Sequence, residues 1–232
     1  MPLALFDIDG TLTASNEIDS VCFADAFRDV FGIEIDTNWD SYEYTTDRGI
    51  VSEALVRSGR DVTESALAFH RMRFIELLDQ RMTSLDEIPG TRAFLGELIA
   101  RNWRVAICTG AWSESARLKL MRAGVGSDLP LASCDDDASR EAILRRGKAL
   151  AGGGPDDVAI SFGDATWDLR AAANLQLPFI GIASGPGAEC LRGMGARDVF
   201  ENYGDAAALL TAIDRILNGS RPDRTRISPR DG

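Results

Sequence analysis

The sequence predicts an α/β protein: a doubly wound parallel sheet with an all-α block inserted just after its first strand. Three observations carry this. Short, near-continuous apolar runs at Leu3–Phe6, Arg104–Thr109, Val158–Phe162 and Phe179–Ile182 alternate with segments of helical periodicity. Runs of that kind mark strands buried on both faces, which is the condition of a parallel sheet covered by helices. Residues 15–86 lack any such run and repeat their apolar residues at helical spacing instead. Finally, three of the strand-like runs stop at Asp, Thr or Gly-Asp, the polar residues that gather at the carboxyl edge of an open sheet.

Taken in order, Leu3-Ala4-Leu5-Phe6 is a buried strand that ends in Asp7-Ile8-Asp9-Gly10. Val21, Phe23, Ala24, Phe27, Val30 and Phe31 then recur on a helical face. So do Ile50, Ala54 and Leu55, and further on Leu67, Phe69, Phe74, Leu77 and Leu78. Between the first two sets, residues 36–48 are polar and aromatic without a period, which reads as a loop between helices. After Ile88-Pro89-Gly90, the residues Phe94, Leu95, Leu98 and Ile99 form a helical face that feeds the strand Arg104–Thr109. Helices over 113–123 and 139–150 flank a short strand near 129–133, and Gly152-Gly153-Gly154 closes the second helix. The strand Val158–Phe162 leads through Gly163-Asp164 to a helix over 167–174, then the strand Phe179–Ile182 and a last helix over 209–217. Right-handed crossovers make this a doubly wound sheet. The division that follows is a core of residues 1–14 and 88–217, a helical unit of 15–87, and a loose polar tail over 218–232.

Composition narrows the function. The 232 residues include 25 Lys+Arg against 36 Asp+Glu, a formal net charge of −11. Such a field disfavours nucleic acid and anionic membranes as partners. One histidine, His70, leaves no means of building a His-rich zinc site, and no GxSxG elbow is present. Chemistry here is expected to run on carboxylates. The four cysteines are scattered without a CxxC pair, and the reading is four reduced thiols in a cytoplasmic protein. The start MPLALFDIDG lacks the basic region of a signal peptide, and no apolar stretch approaches the ~18 residues of a membrane span.

Strand ends bring together Asp7, Asp9, Thr109, Gly110, Asp164 and Asp168. Four carboxylates in one place repel one another unless a cation sits among them, and Mg²⁺ prefers carboxylate oxygens. The sequences FDIDGTLT at 6–13, ICTG at 107–110 and GDATWD at 163–168 resemble, in order, the haloacid dehalogenase (HAD) superfamily. The helical block falls where that family inserts its C1 cap, so the expected fold is an HAD-like Rossmannoid core with a cap over 15–87.

The resemblance implies roles. Asp7 matches the nucleophile that forms an aspartyl-phosphate, and Asp9 the general acid/base. Thr109 and the backbone at Gly110 match the phosphoryl-binding turn. Asp7, the Asp9 carbonyl and Asp164 match the Mg²⁺ ligands, with Asp168 either a ligand through water or an orienting group. Thr11 either orients Asp9 or simply closes the turn. The family's fixed cation is normally a lysine followed by proline. Arg140 stands at the matching separation from Asp164, whereas Lys148 is too close. Arginine keeps its charge and grips an anion through two donors.

Asp9, two residues after the nucleophile position, resembles phosphatases and phosphomutases rather than dehalogenases. A β-phosphoglucomutase-like cap usually carries a histidine or lysine. Residues 15–87 hold no lysine, and His70 lies in a helix, where an exposed or half-buried place is expected. The expected activity is therefore Mg²⁺-dependent hydrolysis of a small organic phosphomonoester of the phosphoglycolate phosphatase-like kind. Phosphomutase chemistry, a receiver-like module and a silent binding protein are the alternatives. The loop after the first helix of the block, with Tyr42, Tyr44, Thr45, Thr46 and Arg48, resembles the family's specificity loop in location, and Tyr44 and Arg48 are the specificity candidates. The partner is a small phosphate ester, and the chain is a monomer or a homodimer.

Overall fold

The computed structural model describes residues 1–219. Six strands, all parallel, form one sheet in the order β3-β2-β1-β4-β5-β6. They are β1 Leu3–Phe6, β2 Arg104–Cys108, β3 Leu131–Ala132, β4 Ala159–Gly163, β5 Phe179–Ile182 and β6 Asp198–Phe200. The order turns back at β1, between β2 and β4, and there the carboxyl ends leave a crevice.

Alternation along β1 explains the two faces. Ala4 and Phe6 point to one side, where Phe6 stacks on Phe162 at 4.3 Å between ring centroids. That side is covered by α4 Thr91–Ala100, α5 Ser113–Ala123 and α9 Ala206–Gly219 through Phe94, Leu120 and Ile213. Leu3 and Leu5 point the other way, onto α6 Arg140–Leu150 and α7 Thr166–Asn174 through Ile143, Leu144 and Ala171. Truncating a ring such as Phe6 or Phe162 to Ala costs about 3–5 kcal/mol at a site packed this closely.

Between β1 and α4 lie α1 Asn16–Phe31, a short 3-10 helix Trp39–Ser41, α2 Asp47–Arg57 and α3 Glu64–Arg81. These helices build an apolar cluster of their own around Phe23, Phe27, Leu55 and Phe74, which also takes in Trp112 and Cys134 from the sheet domain. Local chemistry sets their limits. Gly32 adopts φ 66 and ends α1, while the hydroxyls of Thr46 and Thr63 accept from Gly49 N–H (3.2 Å) and Ala66 N–H (3.1 Å) to start α2 and α3.

The sequence pattern misses three elements and misjudges some exposures. GPGAECLRG, which forms the helix α8 Gly185–Gly193, is too rich in glycine and too poor in apolar residues to show a period, and the strand β6 and the 3-10 helix Trp39–Ser41 are only three residues each. Val21, Phe69 and Ile99, placed on apolar helical faces by spacing, are about half exposed at the margins of those faces. His70 is fully buried rather than exposed or half-buried: it sits among Phe23, Phe27 and Phe74, with Nε2 donating to the Phe23 carbonyl at 3.1 Å. Burial pushes its pKa down to about 4. All four cysteines are free, and only Cys190 is exposed. The tail expected over 218–232 lies outside the described residues, except that 218 and 219 continue α9. Among the described residues no helix is long and apolar enough to cross a membrane.

Candidate active site

The site grows from the end of β1. Asp7 N–H donates to the Phe162 carbonyl at 3.0 Å, so its backbone still pairs with β4 and its side chain stands at the crevice. The chain then turns tightly, with Gly10 at φ 70 and Gly10 N–H donating to Thr13 O at 2.8 Å. Any Cβ on Gly10 would fall within the Asp164 carboxylate, so this turn and β4's end can only meet at glycine. Asp164, first residue after β4, accepts from Asn16 Nδ2 at 2.9 Å. Asp168 in α7 packs its carboxylate against Gly163.

Arg140 reaches this group from the first position of α6, whose N-terminus is capped by the Ser139 hydroxyl accepting from Ala142 N–H. Its Nη1 lies 2.5 Å from Asp168 Oδ1 and 3.4 Å from Asp7 Oδ1, and its Nε donates to the Thr45 carbonyl at 3.0 Å. Thr109 follows β2, buried, and its Oγ1 accepts from Ala111 N–H. Gly110 lies so close to Arg140 Nη2 that a Cβ would stand 2.7 Å from it. Asp7, Asp9, Thr109, Gly110, Arg140 and Asp164 all line one cavity of about 250 Å³, and Asp168 lies beneath it.

One carboxylate oxygen from each of Asp7, Asp164 and Asp168 lies within 4.8 Å of the other two. Burial, and then the charge of Asp168, hold the Asp7 carboxyl well above the usual carboxylate range. The same two causes push Asp164 up to about 7, and burial raises Asp168 against the pull of Arg140. One guanidinium against three carboxylates, two of them buried and Asp164 half-buried, leaves negative charge uncompensated. A hard dication with oxygen preference fits that deficit. Asp168 already spends Oδ1 on Arg140 and Oδ2 on Ala165 N–H (3.3 Å), so it fits the orienting role better than the ligand role.

Asp9 is held by groups the sequence did not single out. Lys119 Nζ lies 2.7 Å from both of its carboxylate oxygens, and Ser15 Oγ donates to Oδ1 at 2.5 Å. Thr11, a candidate for orienting Asp9, has no partner for its hydroxyl among the described residues. Lys119 is fully buried and also pairs with Asp19 of α1. Asp47, at the start of α2, adds its charge to the same lysine and accepts from Trp112 N–H at 2.9 Å. Desolvation raises Asp19 to about 6 and Asp47 well above its ordinary value. The signal that could have found Lys119 is its place one residue before Leu120, on the face of α5 that Ala116 and Ala123 bury.

The loop after α1 does reach the cavity, but through neighbours of the residues expected. Thr45, Thr46 and Asp47 line it, and Asp47 N–H donates to the Gly110 carbonyl at 2.8 Å. Tyr44 is 44% exposed and rests on Gly49, outside the cavity. Arg48 turns away to Glu64 at 2.8 Å. The reason is local: Thr46 caps α2 and donates to Ala138 O (2.9 Å), which fixes residues 45–47 against the core and points residue 48 outward.

A family model described as haloacid dehalogenase-like hydrolase matches residues 1–176. Among solved structures, a hydrolase from Pseudomonas syringae superposes with a TM-score of 0.75 at 21% identity, covering 93% of this chain and 99% of that one. β-Phosphoglucomutase from Clostridium difficile gives 0.71 at 15% identity, covering 93% and 98%. A predicted phosphoglycolate phosphatase from Haemophilus somnus 129pt gives 0.62 at 18%, covering 90% and 97%. No curated protein matches the chain.

Proposed function

The chain belongs to the haloacid dehalogenase-like hydrolase family, and from that premise we propose that it is a Mg²⁺-dependent phosphatase of small organic phosphomonoesters. The observation that carries the reading is Arg140 set against Asp7 and Asp168 in the crevice where Asp7 and Asp164 also meet. A carboxylate nucleophile, a fixed cation and an acidic metal cradle at one point suit phosphoryl transfer, which depends on positioning and charge neutralisation.

An Asp7 carboxylate oxygen attacks phosphorus. The bond to the ester oxygen breaks, and Asp9, as the acid, gives that oxygen its proton. The aspartyl-phosphate is then attacked by water, whose proton passes to the Asp9 carboxylate, and the phosphorus–oxygen bond to Asp7 breaks to release phosphate. Arg140, with the neighbouring Thr109 and the backbone near Gly110, steadies the equatorial phosphoryl oxygens. Asp168 keeps the guanidinium aimed. Asp7, Asp164 and the Asp9 carbonyl would hold Mg²⁺, which would supply positive charge to offset repulsion between the carboxylate and the phosphate dianion. The helices α1–α3 serve as the cap that closes the cavity around the substrate.

Hydrolysis is favoured over a mutase reaction because His70, the only histidine, is sealed in the helical cluster, and residues 15–87 have no lysine. Purified protein should hydrolyse p-nitrophenyl phosphate with Mg²⁺ and stop on addition of EDTA. No turnover in that assay and across a broad phosphometabolite panel would sink the proposal.

A further inference from the structure

The charges around the cavity say what the rest of the substrate can be. Among the described residues Arg140 is the one cation that lines it, at the phosphoryl end, and Lys119 is sealed behind Asp9. Arg140 spends Nη1 on Asp168 and Asp7 and Nε on the Thr45 carbonyl. Lys119 has no exposed surface, and its Nζ is shared by Asp9 and Asp19. None of the arginines of residues 15–87 lines the cavity. Arg48 pairs with Glu64, Arg57 with Glu53 over the Tyr42 ring, and Arg71 with Glu114 and Asp135.

The wall above the nucleophile offers the opposite character. Asp19 and Asp47 face the cavity from α1 and α2, and the remaining surface includes Phe23, Trp39, Ile50 and Trp167. A second phosphate or a carboxylate on the substrate would be stripped of water beside two acidic side chains, with no free cation in reach among the described residues. A flat or apolar group would instead lie against aromatic faces.

Resting on the phosphatase reading, we infer that the substrate is a phosphomonoester whose alcohol part carries no second anionic group and presents an apolar face to Trp39 and Trp167. Phosphate esters of hydroxy acids, which keep a free carboxylate, and bisphosphates are excluded by the same wall. The cavity of about 250 Å³ holds such an ester only if it is small.

The test compares phenyl phosphate with 4-carboxyphenyl phosphate, and then phosphoglycolate, using the full chain with Mg²⁺. Phenyl phosphate should exceed both acids in kcat/KM by about tenfold or more, the difference lying mainly in KM. Trp39→Arg, and independently Ser20→Lys on α1, place a cation in the wall and should narrow or reverse that ratio. Equal or better turnover of the carboxylate-bearing esters by the unaltered protein overturns the inference while leaving the phosphatase reading intact. No turnover of any ester, with Asp7→Asn indistinguishable from the unaltered protein, removes both. A ratio that neither wall variant shifts, in variants that keep the cooperative thermal transition, also overturns it.

Discussion

Lys119 Nζ lies 2.7 Å from each carboxylate oxygen of Asp9, although Lys119 belongs to a core helix and has no exposed surface. The same ammonium pairs with Asp19 of α1, so one charge ties Asp9, the proposed general acid/base, to the helical layer. Lys119→Met keeps much of the side chain's volume but leaves two carboxylates without their cation. Removing one partner of a buried pair costs about 3–5 kcal/mol, read as a lower urea midpoint. Adding Asp19→Asn should recover part of that stability without restoring kcat. Full recovery of turnover in the double variant would show that Lys119 matters to folding alone.

Gly10→Ala tests the contact between the first turn and Asp164. Its left-handed backbone costs a side chain about 1–2 kcal/mol, and the methyl displaces the Asp164 carboxylate. Mg²⁺ affinity, measured by calorimetry, should fall about tenfold or more. Unchanged affinity would place the metal elsewhere.

The acidic cradle also sets a pH dependence. Asp164 titrates at about 7 in the folded chain against an ordinary 3.8, so between those values the folded state holds a proton that the unfolded state has released. Its contribution to stability is therefore present at low pH and lost as pH rises through about 7. Mg²⁺ replaces that proton, so the Tm increase at saturating Mg²⁺ should be larger at pH 8 than at pH 5.5. His70, buried and neutral, acts in the opposite direction below its ordinary value but cancels in this difference. An increase independent of pH would contradict the assignment of the metal to these carboxylates.

Arg48→Ala should leave kcat/KM unchanged. Its partner Glu64 is 80% exposed and outside the cavity, and a surface pair of this kind contributes less than about 1 kcal/mol. A marked rise in KM would return Arg48 to the substrate.

What could be read in the sequence follows from range. Strands such as Leu3–Phe6 are written locally, since burial on both faces needs apolar residues in unbroken runs. Asp7 and Asp164 are readable too, because sheet topology carries strand ends to one crevice, and Arg140 because its separation from Asp164 resembles the family's spacing. The network at Asp9 is not. Lys119 is 110 residues from Asp9, and only three-dimensional packing shows that a lysine on an apolar face has a charge to neutralise. The loop after α1 reaches the cavity, yet whether Thr46 or Arg48 faces inward depends on a cap and on a hydrogen bond to Ala138, 92 residues away. The glycine-dense α8 had no period to read.

The most direct test of the account is acid-quenched single turnover with p-nitrophenyl phosphate and Mg²⁺, followed by peptide mass mapping. A hydroxylamine-labile phosphoryl group should form on Asp7 no more slowly than kcat, and a folded Asp7→Asn variant should show neither adduct nor turnover. Turnover without an adduct on Asp7, or retained by Asp7→Asn, would contradict the account.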